Sequence, residues 1–295
     1  MSEALVQKLT VAVAQVETRF GALEQNTDRH IAVIHEARAQ GVTCLLFPEL
    51  SLTGRPPSDA LPAFALDADH PMVKAIVKAS GPIMTTFGLV EEGPAAQFFN
   101  SAYTVGGGRI SHIHRKISRC SSALAPATAR FAQGRYLETF VLAKRWRAAT
   151  LLGSDMWNPA LVHLASVKGT TCLLAPTASA EADSGTFDSP SGWAMVCRYS
   201  AMMHAMPLLF ANRVGVEDGR RHWGNSRIID PFGEILADAG EGEGMAVAEL
   251  DFGHVREARF ALPTQRDSEL ELVHRELGRL QDLLGVPEAV RRPSR

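Results

Sequence analysis

Apolar residues fall in short blocks that switch between two periods. Val11-Ala12-Val13-Ala14-Gln15-Val16 is a nearly unbroken apolar run, as expected of a strand covered on both faces. Over residues 23–40 the spacing lengthens. Ile31, Val33, Ile34 and Ala37 mark one face of a helix that Gly41 stops. Cys44-Leu45-Leu46-Phe47 predicts a second strand ending at Pro48-Glu49, followed by a helix near 72–80 and a strand near 83–90. Residues 100–116 read as a hairpin folded at Gly106-Gly107-Gly108.

The second half repeats this logic. A strand pair is expected at 139–142 and 148–152, a helix over 158–167 closed by Gly169, and a strand at Cys172-Leu173-Leu174-Ala175. A helix over 193–205, a strand at 208–212, a hairpin of 226–229 with 235–237, and a strand at 246–250 follow. Residues 270–284 form an amphipathic helix with Leu272, Leu277, Leu280 and Leu284 near one face. Hairpins mixed with helices disfavour a purely parallel sheet, and the helices suffice to cover two sheets. The expected fold is α/β, a four-layer α-β-β-α sandwich. With no Pro-, Gly- or Ser-rich linker, residues 1–295 read as one domain with a short basic tail at about 288–295.

Composition narrows the function classes. Hydrophobic residues make up 46% and charged residues 21%, as in an ordinary globular chain. Thirty basic against 32 acidic residues give a net charge of -2, which argues against a dedicated nucleic-acid binder. No apolar run approaches the ~18 residues of a membrane span. The start, Met1-Ser2-Glu3-Ala4, has no signal-peptide pattern. Cys44, Cys120, Cys172 and Cys197 are dispersed, which speaks against a zinc site or a disulfide framework. A reduced, cytoplasmic protein without a cofactor is the expectation.

Three positions place special residues at the ends of expected strands, where α/β folds keep their chemistry. Glu49 follows Leu46-Phe47-Pro48. Partial desolvation there raises a carboxyl pKa and suits it to general-base work, against the plain alternative of a solvated charge. Lys116 ends His112-Ile113-His114-Arg115-Lys116, where alternation puts both histidines and the lysine on one face. The lysine suits an oxyanion. A metal on the two histidines lacks further ligands at suitable spacing, so an exposed basic strand is the favoured alternative. Gly153-Ser154-Asp155 sits at a strand-to-helix turn that could carry a nucleophile, but glycine has no side chain and Ser154 no evident base. Neither G-x-S-x-G nor G-x-x-x-x-G-K-[ST] occurs.

Taken together, these stretches resemble the nitrilase, or carbon–nitrogen hydrolase, superfamily from about residue 9 to 277. The matching segments include Val11-Ala12-Val13-Ala14-Gln15, Leu46-Phe47-Pro48-Glu49-Leu50-Ser51-Leu52-Thr53-Gly54 and Asn100-Ser101-Ala102. His114-Arg115-Lys116, Asp155-Met156-Trp157-Asn158-Pro159, Ala211-Asn212-Arg213-Val214-Gly215 and Gly224-Asn225-Ser226 continue them in order. The resemblance implies the α-β-β-α sandwich and hydrolysis of non-peptide C–N bonds in nitriles, amides and carbamoyl compounds by a Cys-Glu-Lys triad. Glu49 falls on the general base and Lys116 on the lysine. The register Cys-x-Asp-x-x-x-Pro falls on Gly153-Ser154-Asp155-Met156-Trp157-Asn158-Pro159, so Gly153 occupies the nucleophile position. In the family the backbone N–H of the following residue, here Ser154, helps hold the oxyanion.

Two further departures accompany the glycine. The family's second glutamate should precede Phe131-Ala132-Gln133-Gly134, yet residues 120–130 contain no acid. The tyrosine after Thr-Gly is replaced by Arg55. An engineered Cys-to-Gly change would explain Gly153 but not the altered loop, which favours natural divergence. Two function classes follow: a hydrolase using a substitute nucleophile (Cys120, Ser154 or a water activated by Glu49), or a pseudoenzyme that binds a small amide-like ligand or a partner chain. Ser154, Trp157 and Asn158 are the expected substrate-contacting residues, and Trp193 and Trp223 are further candidates for a pocket wall. His204, Met202, Met203 and Met206 read as core or interface, and Asp188 and Arg198 as ordinary surface positions. Pairing of two sandwiches through the helices at 158–167 and 193–205 is expected to give a homodimer.

Overall fold

The computed structural model describes residues 8–57, 59–118, 130–181 and 188–283. The expected basic tail at 288–295 and Cys120 lie outside them. The first half contains β1 (Lys8–Gln15), α1 (Leu23–Ala39), β2 (Cys44–Leu46), α2 (Leu61–Phe64), α3 (Pro71–Ser80), β3 (Met84–Gly93), β4 (Gln97–Gly106) and β5 (Arg109–Arg115). The second contains β6 (Thr139–Val141), β7 (Arg147–Thr150), α4 (Pro159–Val167), β8 (Cys172–Pro176), α5 (Ser189–Met203) and β9 (Leu208–Ala211). A hairpin of β10 (Val214–Glu217) and β11 (Arg220–Trp223) leads to β12 (Arg227–Ile229), β13 (Ile235–Asp238), β14 (Gly244–Asp251), α6 (Phe252–Ala261) and α7 (Leu270–Leu283).

Two six-stranded sheets, ordered β14-β1-β2-β3-β4-β5 and β13-β12-β9-β8-β7-β6, stack on each other. Their pairings follow one pattern. β1, β2 and β3 run parallel, as do β7, β8 and β9, and antiparallel strands flank each trio. Strand alternation sorts the apolar residues into three layers of contact. Ala12, Ala14, Leu45 and Phe47 face Val33, Ile34, Val73 and Ile76 of α1 and α3. Val11, Val13, Cys44 and Leu46 pack between the sheets against Cys172, Leu174, Leu209 and Ile228. Leu173, Ala175, Leu208 and Phe210 face Val162, Ala165, Trp193 and Cys197 of α4 and α5. Both faces of the central strands are buried, and β2, β8 and β9 are accordingly apolar throughout. The four-layer sandwich is therefore observed.

Several local readings change. The second helix of the second half, α5, starts four residues before the expected 193, because Asp188 caps it by accepting a hydrogen bond from Ser191 N and Pro190 occupies its first turn. The β10–β11 hairpin was not expected, since its strands have only four residues each and form no apolar run. Its turn is Asp218-Gly219, with both residues at positive φ (51° and 73°), the dipeptide that suits a two-residue hairpin. α6 also escaped the apolar pattern and is capped by Asp251, which accepts from Gly253 N at 2.7 Å. None of the helices among the described residues is long and apolar enough to cross a membrane.

Candidate active site

The turn after β2 carries Glu49 into the molecule because the neighbouring strand leaves room for it. Leu50 adopts a left-handed φ of 53°, and a Cβ on Gly88 of β3 would lie 2.2 Å from Leu50 N. Any side chain at 88 would displace the Glu49 turn. On its other side Glu49 N donates to Thr177 O beyond β8, at 3.3 Å. Strand ends from both sheets thus grip one carboxylate, which is 5% exposed.

Its polar atoms are well matched. Glu49 Oε1 accepts from Lys116 Nζ at 2.6 Å and from Asn100 Nδ2 at 2.7 Å, and Oε2 accepts from Ala178 N at 3.2 Å. A buried ion pair repays its desolvation only when such additional hydrogen bonds complete it. Glu49 and Lys116, 67 residues apart in sequence, therefore form one unit. Lys116 lies just beyond β5 and is itself fixed by Lys116 N to Asn100 O and Gly134 N to Lys116 O.

Gly153 meets this pair. It lies three residues beyond the end of β7, opens a short 3-10 helix (Gly153–Trp157), and has a φ of 46°. A Cβ there would lie 2.5 Å from Glu49 Oε2 and 3.1 Å from Lys116 Nζ. The carboxylate and ammonium occupy the space into which a side chain at 153 would project.

Asp155 holds the two halves of the site together. It is fully buried and accepts from Leu152 N at 3.2 Å on the Gly153 side, and from Ile117 N at 3.1 Å and Ser118 N at 2.5 Å on the Lys116 side. His114 Nε2 lies 3.1 Å from Asp155 Oδ2; an ionised carboxylate only accepts, so the ring proton sits on Nε2. Burial by itself would raise the Asp155 pKa. The hydrogen bond and charge of His114, with the N–H of Ser118, outweigh it and hold the carboxyl below its usual range. The neighbouring His112 stacks on Phe140 at 4.6 Å, so the two histidines of β5 serve packing and Asp155 respectively. No cluster of three or more metal-ligating side chains occurs among the described residues.

A cavity of about 280 Å³ opens over Glu49, Lys116 and Gly153. Trp157 and Trp193, in edge-to-face contact at 5.2 Å, form part of its wall. Ser154 also lines it and donates Oγ–H to Ser118 O at 3.2 Å. Two expectations are corrected. Asn158 is not part of the lining; as the residue before Pro159 it caps α4, accepting from Ala160 N at 3.1 Å. Trp223 lies behind the wall, stacked on Phe210 at 5.9 Å. Asn100 escaped the sequence reading as a functional residue, because a neutral amide in a strand carries no charge or periodicity signal.

The arrangement offers a carboxylate able to take a proton and an ammonium able to stabilise negative charge. It offers no thiol. The described cysteines Cys44, Cys172 and Cys197 are buried in the core, where burial pushes Cys44 and Cys197 up to about 12 and Cys172 upward as well. The loop expected to hold the second glutamate falls mostly outside the described residues.

Similar proteins agree with this geometry at the level of fold. A structure of a carbon-nitrogen hydrolase from Helicobacter pylori G27 superposes with a TM-score of 0.78 at 19% identity, covering 92% of this chain and 99% of that one. An amidase from Nesterenkonia sp. superposes at 0.73 and 23% identity, over 87% and 95% of the two chains. Among curated proteins, a glutamine-dependent NAD(+) synthetase from Synechocystis sp. is 24% identical over 252 residues, which is 77% of this chain and 43% of that protein. The matches to the first curated relatives span less than half of those relatives' lengths. The family model described as carbon-nitrogen hydrolase matches residues 10–260. On that match the chain belongs to the carbon-nitrogen hydrolase family, the nitrilase superfamily.

Proposed function

We propose that this chain uses the cavity over Glu49 and Lys116 to bind a small amide, nitrile or carbamoyl compound without forming a covalent intermediate. The observation that carries this reading is Gly153, which presents no side chain where Glu49 and Lys116 converge. Losing a nucleophile from a hydrolytic triad costs up to about 10⁶ in kcat, with binding and electrostatic stabilisation left behind. Glu49, Lys116 and Asn100 are those remaining groups. They also support a second reading, slow hydrolysis by a water that Glu49 deprotonates.

Ammonia release from acetamide, butyronitrile and N-carbamoylglycine distinguishes these readings. The expected result is turnover close to the no-protein control and unchanged by iodoacetamide, with saturable binding of at least one of the three in calorimetry. Robust turnover abolished by alkylating Cys120 would locate the nucleophile in that loop and reject the binding role.

A homodimer is part of the same proposal. Met195, Tyr199 and Met202 of α5 are 74%, 50% and 43% exposed, and Leu164 of α4 is 43% exposed. An apolar face of this kind is an association surface, and a two-fold axis buries it against its own copy. Light scattering should report twice the chain mass, and Met195→Glu combined with Met202→Glu should halve it. A monomer at micromolar concentration would reject the dimer.

A further inference from the structure

The charges that line the cavity do not cancel. Glu49 is matched by Lys116 at 2.6 Å, and Glu217 by Arg213 Nη1 at 2.7 Å, with Arg213 only 1% exposed. The other Glu217 oxygen accepts from the backbone N–H of Arg55 at 3.1 Å, so this carboxylate has a donor on each oxygen. His222 is neutral at pH 7: burial first, then the positive charges of Arg213 and Arg55, lower it to about 4. That leaves Arg55. It lines the same cavity, is only partly exposed, and its guanidinium has no hydrogen bond or ion pair with any described residue. The buried Arg213 Nε, on the same wall, also has no hydrogen-bond partner among the described residues. Among the described residues the lining thus holds two internally neutralised pairs and one unmatched guanidinium, an excess of positive charge.

We infer that the ligand of this cavity is an anion, an amide or carbamoyl compound bearing a carboxylate that Arg55 receives while its C–N group lies at Glu49 and Lys116. The inference rests on the amide-binding role proposed above and specifies its substrate class. The backbone supports this use of Arg55. Its main-chain N–H is tied to Glu217, and the preceding Gly54, with a φ of 70°, would place a Cβ 2.6 Å from Phe20 Cα. The main chain at Arg55 is therefore anchored while its side chain stays available. Guanidinium suits a carboxylate because its fork donates two parallel hydrogen bonds.

Calorimetric titration of the full chain with succinamate and glutaramate, against the neutral diamides succinamide and glutaramide, tests this at one fixed salt concentration. The wild type should bind at least one monoamide anion about tenfold or more tightly than its diamide. Arg55→Gln should bring that ratio close to one, and Arg55→Lys should keep most of the preference. Equal affinity for anion and diamide in the wild type would overturn the anionic class, and a preference that survives Arg55→Gln would overturn the assignment of the carboxylate to Arg55; either result leaves the amide pocket standing. Failure of all four compounds to bind at millimolar concentrations would overturn the amide pocket and this inference together.

Discussion

Gly153→Cys is expected to produce thiol-dependent turnover of simple amides and to lower stability at the same time. The new Cβ falls 2.5 Å from Glu49 Oε2 and 3.2 Å from Glu49 Cδ, so the carboxylate must swing aside. That movement is feasible because the obstacle is the far end of a side chain, though it weakens the bonds to Asn100, Lys116 and Ala178. The backbone is a second cost, since an L-residue held at a φ of 46° is strained by about 1–3 kcal/mol. In return the sulfur sits beside an ammonium that favours thiolate and a carboxylate that can take its proton. Because a missing nucleophile removes up to about 10⁶ in rate, even a poorly placed thiol should raise ammonia release from acetamide about 10²-fold or more. Iodoacetamide should abolish the gain. A folded variant that is alkylated at position 153 and still releases no ammonia would show that the cavity lacks more than sulfur, and would point to the acid-free loop.

The largest stability effect is expected at Asp155. Asp155→Ala strands the N–H groups of Leu152, Ile117 and Ser118 and His114 Nε2 at once, and removing one partner of a buried charged network costs about 3–5 kcal/mol. Denaturant midpoints should fall accordingly. The pH dependence has a definite sign. Folding depresses the carboxyl pKa below 3.8, so its contribution is complete above that value and is lost as the pH falls through the folded value. The stability gap between wild type and Asp155→Asn should therefore narrow as the pH falls through the folded value. A gap that widens on acidification would mean that the aspartate is not held as the anion.

The strands at the centre of each sheet were legible in the sequence because they are buried on both faces. Val11, Val13 and Ala12, Ala14 point to opposite layers yet are all apolar, leaving an unbroken run. Strands of four residues with mixed polarity lack that signature, which is why β10 and β11 emerged only with the structure, although Asp218-Gly219 marked their turn. Within the site, Glu49, Lys116 and Gly153 were readable from motif order. Asn158 was misplaced because an asparagine before a proline has a strong local use as a helix cap, and that use outweighed the pocket. The buried carboxylate of Asp155 was visible within the motif, but its bridging role depends on the ends of two distant segments and leaves no trace in local spacing.

The tryptophans have a practical consequence. Trp157 and Trp193 touch at the cavity wall, and Trp193 and Trp223 both donate their indole N–H to Ser179 Oγ, at 3.1 and 3.3 Å. Three of the four tryptophans in the chain thus form a single chromophore cluster at the cavity. The fourth, Trp146, lies between the sheets against Phe252 and provides a background remote from ligand entry. A compound settling over Glu49 would change the surroundings of most of the protein's indole emission. The chain thus carries an intrinsic optical reporter of occupancy, so a library of colourless small molecules can be screened without a label, a substrate or any turnover.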